Sequence, residues 1–150
     1  MTSHKIQKIL TIILIVFACS LGASTLAVIA VNQNIDSSGT ITTSPNISLY
    51  SNSACTNNMI AISWGPITVG GSTTQTIYVK NTGTGTLTLG LSATNWTPTQ
   101  ASTYLTVSWD KQGTQLSAGQ LIQATITITA SSSITGITNF GNTISITGTS

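Results

Sequence analysis

The stretch GASTLAVIAVNQNIDSSGTI, residues 22–41, opens as the tail of an apolar segment and closes as an extended, β-like run. Ahead of it, MTSHKIQK is a basic n-region and ILTIILIVFA a strong apolar h-region. The small residues of CSLGASTLA suit signal-peptidase cleavage, after Ser24 or Ala27. Residues 1–24 therefore read as a signal peptide, and the chain beyond as extracellular. The alternative is a retained anchor extending to residue 31, since Ile9 to Val31 is long enough to span a bilayer (about 20 apolar residues suffice). Within the stretch, Leu26, Val28 and Ala30 fall on one face of an extended chain, and Ala27, Ile29 and Val31 on the other. A strand apolar on both faces calls for burial on both. The following NQNIDSSG reads as a polar joint, so residues 25–38 form a strand plus joint ahead of a domain over 39–150.

Beyond Gly39 the sequence alternates. Ile47 and Leu49 share a face, as do Ile60, Ile62 and Trp64; Ile77 and Val79; Leu87, Leu89, Leu91 and Ala93; Leu105, Val107 and Trp109; Ile122, Ala124, Ile126 and Ile128; and Phe140, Ile144 and Ile146. These are seven strand candidates with Ser and Thr on the opposite face, the pattern of antiparallel sheets wetted on one side. GPITVGGS, NTGTGT, NWTPTQ, KQGTQLSAGQ and SSSITG supply turn residues between them, and TPTQASTYL has room for one helical turn. The expected fold is an all-β antiparallel β-sandwich, immunoglobulin-like or jelly-roll.

Charge is scarce. The chain has four lysines, no arginine, two aspartates, no glutamate and a single histidine, His4, in the n-region. Basic residues do not cluster on a face of the body, so the expected partners exclude nucleic acid. Catalysis needs titratable groups with tuned pKa values; past the export segment only Asp36, Asp110, Lys80 and Lys111 remain, and no enzyme activity is expected. No metal-ligating cluster or phosphate-binding loop is visible, so no cofactor is expected either. An isopeptide bond from Lys80 to an asparagine with Asp110 as proton shuttle is chemically conceivable, but a strand-end lysine facing water accounts for Lys80. The rows Thr125, Thr127, Thr129 and Thr86, Thr88 suggest an ice-binding array; the ordinary solvent face of a twisted sheet accounts for them. Cys55 stands apart from Cys19 and reads as a small buried hydrophobe. Sequons at Asn46 (NIS) and Asn95 (NWT) are candidate N-glycosylation sites.

Soluble β-proteins guard their sheet edges with charge and proline, and this chain has little charge to guard with. An edge left open invites strand addition from a neighbour, and a head-to-tail contact of that kind produces an open filament. The N-terminal strand can fold back into its own domain or complete the sheet of the next copy, and the second course predicts a homopolymer in which the body borrows a strand from the next copy. Burying about four Val, Ile or Leu side chains is worth roughly 6–12 kcal/mol before ordering costs. With few ionisable groups, stability should depend weakly on pH.

LYSNSACT, ISWGPITVGGSTTQTIYVKNTGTGTLTLGLSATNWTP, YLTVSWDKQGTQLSAGQ and SSSITGITNF resemble archaeal extracellular thread and bundling-pilus subunits, and distantly the TasA/camelysin-type biofilm fibre proteins of bacteria. The resemblance covers about residues 38–148. It implies a β-sandwich or jelly roll joined by donor-strand complementation through the N-terminal segment, in surface adhesion or biofilm. The implied donor is Leu26 to Ile35, with Leu26, Val28, Ile29, Ala30, Val31 and Ile35 as its apolar contacts. It implies no catalytic residue. The alternative is a membrane-anchored adhesion or S-layer-associated module.

Overall fold

The computed structural model describes residues 34–43 and 46–150. Ten strands follow one another: β1 (Asn34–Thr43), β2 (Ile47–Tyr50), β3 (Ala61–Ser63), β4 (Ile67–Thr68), β5 (Ser72–Asn81), β6 (Leu87–Thr97), β7 (Leu105–Trp109), β8 (Gln115–Leu116), β9 (Leu121–Ala130) and β10 (Asn139–Thr149), with one short helix, α1 (Ala101–Tyr104), between β6 and β7. They form two packed sheets, an all-β sandwich. The first sheet has the order β3-β1-β10-β6-β8, with β4 also paired to β1; the second has the order β2-β5-β9-β7.

Among the described residues, no two strands consecutive in sequence are hydrogen-bonded neighbours. The connections repeatedly cross from one sheet to the other, so almost every ladder joins distant parts of the chain. The period-two patterning makes this possible: each strand carries its own buried face, independent of its neighbours. From the first sheet come Ile62, Leu87, Leu89, Leu116, Ile144 and Ile146; from the second, Leu49, Ile77, Val79, Leu105, Ile126 and Ile128, all buried. β-Branched Ile, Val and Thr dominate these strands, as pleated surfaces favour.

Three anchors sit where the sequence reads as turn. Ile67 in GPITVGGS, Leu116 in KQGTQLSAGQ and Ile134 in SSSITG are buried, and the first two seed the two-residue strands β4 and β8. One expected core residue is not there: Ile60 is 76 % exposed. The Met59 N–H bonds the Leu49 carbonyl in the second sheet, while the Ile60 carbonyl accepts from the Ile41 N–H in the first. The chain therefore changes sheets between these two residues. That breaks the alternation and leaves Ile60 facing out.

Candidate functional site: the seat of strand β1

The stretch expected to be a polar joint is in fact strand. β1 covers ten residues from Asn34, and its side chains alternate: Ile35, Gly39 and Ile41 are buried, while Ser38, Thr40 and Thr42 are exposed. Ile35 and Ile41 act as pegs at either end, each worth about 1.5–3 kcal/mol of burial. The positions between them hold only Ser37 and Gly39. Their small size hid the strand, since a period-two apolar signal needs large residues at both ends and the middle.

β1 runs parallel to β10 in register from Asp36 opposite Asn139 to Thr43 opposite Ile146. The other strand pairs are all antiparallel. On its far side β1 holds β3, with Ser38 to Thr40 opposite Ser63 to Ala61, and β4, with Asn34 and Ile35 opposite Thr68 and Ile67. Among the described residues, neither β3 nor β4 pairs with any other strand. Taking β1 away would open the edge of β10 and strand both of them.

The seat is imperfectly matched. Ser37 Oγ, Trp64 Nε1 and both amide atoms of Asn142 are buried without a hydrogen-bond partner. Gly39 and Asn142 are opposite each other in the ladder, and a Cβ on Gly39 would come within 2.9 Å of Asn142 Oδ1. A buried polar group left unpaired costs about 1–3 kcal/mol. Ser37 is on β1 itself, Asn142 is opposite Gly39 on β10, and the Trp64 backbone N–H bonds the Ser37 carbonyl, so their cost falls on holding β1 in place.

An open groove lies at each end. One, of about 500 Å3, is lined by Ser37, Ser38, Thr97, Asn139, Phe140 and Gly141. The other, of about 220 Å3, runs between Ile41, Ile47, Leu49, Asn58, Met59 and Ile60. Beyond the second groove only residues 44–46 separate β1 from β2. Asn46 has φ +71°, in the left-handed region, and its carbonyl accepts a bond from the Thr82 N–H at 2.8 Å.

Of the expected donor residues, Leu26, Val28, Ile29, Ala30 and Val31 lie outside the described residues. Ile35 is buried in the sandwich of its own chain, 1 % exposed. Within the described residues the sandwich includes β1, 34–43, whose first two residues are the last two of the expected donor 26–35. The strand and joint assigned to 25–38 therefore overlap the sandwich, which begins before residue 39. Asn46 and Asn95 are both exposed with positive φ, and Asn95 Nδ2 donates to Thr143 Oγ1 at 3.3 Å.

The isopeptide partners are apart. Asp110 accepts from the Thr125 N–H at 2.8 Å and pairs with Lys111 Nζ at 2.9 Å. Lys80 lies opposite Leu121, four residues along β9 from Thr125 and roughly 13 Å away. Partial desolvation raises the Asp110 pKa, but the Thr125 N–H and Lys111 outweigh it and hold the carboxyl below its ordinary value. Thr125, Thr127 and Thr129 do line the outer face of the second sheet, beside Thr76, Thr74 and Ser72. Cys55 is half-buried in a turn, φ +56°, rather than in the core. No known family model matches the chain, and no curated protein matches it in sequence.

Proposed function

We propose that the protein is the structural subunit of an extracellular, pilus-like filament, joined head to tail by exchange of β1 and serving surface adhesion or biofilm. In the filament, residues 34–43 of one copy occupy the β1 seat of the next. The observation that carries this reading is the position of β1: a strand parallel to β10, the sole partner of β3 and β4 among the described residues, with unpaired polar groups on it and beside it. Such a strand is indispensable to the sheet yet weakly matched to it, and it is tethered to the body by a three-residue link. A neighbour's copy satisfies the same ladder, as in domain swapping, and a heterologous exchange whose rotation does not close a ring grows as an open filament. The resemblance to thread and bundling-pilus subunits points the same way. Asn46 and Asn95, both exposed, are the proposed N-glycan acceptors.

The export segment and the near absence of charge support an extracellular, non-enzymatic polymer whose partner is itself. Electron microscopy of surface extracts from cells expressing the full chain tests this. Filaments that vanish when residues 34–43 are deleted, and return when that segment is restored, support the reading; filaments that persist without it overturn it.

Closure of β1 in cis favours a second reading, a self-contained cell-surface or S-layer-associated module held by the N-terminal segment. N-terminal sequencing separates the two. A start between Ser24 and Val28 supports the filament; an intact Met1 in the membrane fraction supports the anchor.

A further inference from the structure

Strand exchange leaves a thermodynamic gap. The contacts of β1 are the same in cis and in trans, so swapping it gains nothing by itself, and the short tether favours the cis form through its high effective concentration. A filament built this way needs an additional interface that the monomer lacks. The length of the link says where that interface lies. Thr43 and Ile47 can separate by at most roughly 14 Å when residues 44–46 are fully extended. The body of a donating subunit is thus held beside the end of its neighbour's seat where β1 emerges, next to Ile41.

That end carries the second groove, where Ser48 and Asn58 stand among the apolar side chains. Ile60 is 76 % exposed and Met59 half-buried at its mouth, with Ile41, Ile47 and Leu49 lining the wall. Among the described residues, the other exposed large hydrophobic side chain is Val69, at 38 %. It follows β4, at the opposite end of β1.

We propose that the Met59–Ile60 groove is the body-to-body interface between successive subunits, and that its occupant is the donating copy, docked through the turn that packs on its own Asn46. In that turn the Thr82 N–H binds the Asn46 carbonyl, and the backbone at Gly83 lies so close to Asn46 that an added Cβ would fall 2.8 Å from the Asn46 Cβ. This inference rests on the filament reading and adds to it the contact that drives strand exchange forward. Burial of Ile60 occurs only in the polymer, so the polymer gains free energy that the self-closed monomer cannot reach.

The test uses the full chain, exported from cells, with Cys19 and Cys55 replaced by serine. One variant carries Ile60→Cys and a control carries Thr74→Cys, on the exposed outer face of the second sheet. Maleimide labelling is compared between monomer and filament, and an Ile60→Lys chain is assayed for the concentration at which filaments appear. The expected result is an Ile60→Cys thiol that reacts in the monomer and is protected in filaments, while the control reacts in both. Ile60→Lys should raise the assembly concentration at least roughly tenfold, as expected for withdrawing one large apolar side chain from an interface, with the melting temperature of the monomer unchanged. Filaments in which the thiol at 60 stays reactive, or Ile60→Lys chains that assemble at the unmodified concentration, overturn the inference while the strand-exchange reading survives. A parent chain that never forms filaments overturns both.

Discussion

Two asparagines are buried in the sandwich, and they are treated in opposite ways. Asn81, at the end of β5, is fully enclosed and fully engaged. Its amide donates to the Gly85 and Leu116 carbonyls at 2.8 and 2.9 Å, and its carbonyl oxygen accepts from the Gly83 N–H at 2.9 Å. Asn142, in β10 beneath β1, is 5 % exposed, and neither amide atom finds a partner. The first corner ties the β5–β6 turn to β8, so it behaves as permanent structure. The second lies under the strand whose exchange is proposed. Buried polar groups rigidify a core when satisfied and penalise it when not. The contrast therefore sets a fully satisfied corner of the body against an unsatisfied site beside β1.

Substitutions in the body should cost most. Ile126 is fully buried in β9, between β5 and β7. Ile126→Ala should lower the unfolding free energy by about 2–5 kcal/mol in chemical denaturation. A loss below 1 kcal/mol would mean that the second sheet is far less closely packed than its burial implies. Asn81→Ala should come next, at about 1–3 kcal/mol, because it removes three hydrogen bonds to the backbone at once, one of them to the buried Leu116 carbonyl. If Asn81→Ala proves neutral, the contrast between the two asparagines loses its meaning.

Asn142→Val should act in the opposite direction. It removes two unpaired polar atoms and fits a β-branched residue to a strand, so the monomer should gain about 1 kcal/mol. It should also slow filament appearance in a light-scattering time course, because the cis seat becomes a better match. A destabilised Asn142→Val monomer would show that the asparagine has a role that pairing alone does not reveal.

The pH effect should be smallest. The Asp110 carboxyl is held below its ordinary pKa, so its contribution is present above that value and is lost as pH falls through the lowered one. Since Asp110 is largely exposed to water, melting temperature should fall only slightly, and only below about pH 4. In an Asp110→Asn chain that part of the decline should disappear. A steep fall between neutral pH and pH 5 would contradict this.

The body was legible wherever large apolar residues alternate without a break. ISLY, TTQTIYVKN and ATITITA read as strands from the sequence and are β2, β5 and β9. The helical turn allowed for TPTQASTYL is α1. The failures share a cause. β1 is pegged by Ile35 and Ile41 alone, with Ser37 and Gly39 between, so its composition is that of a linker; what makes it a strand is the ladder offered by β10. β4 and β8 are single buried side chains inside turn-rich stretches. Ile60 kept the expected spacing from Ile62 but lies where the chain crosses between sheets, a tertiary event with no local signature. The candidate site was not legible, because the seat of β1 depends on which distant strands pair.

Whether β1 is exchanged can be read from one covalent link. Thr42 and Ser145 are ladder partners, and their hydroxyls are 2.9 Å apart. Neighbouring strands lie about 4.8 Å apart, within disulfide reach. Filaments are to be assembled from a Thr42→Cys, Ser145→Cys chain in which Cys19 and Cys55 are serine, then oxidised and run on a denaturing, non-reducing gel. Strand exchange predicts a ladder of covalently joined multimers. A single band of internally bridged monomers, from filaments visible by electron microscopy, would contradict it.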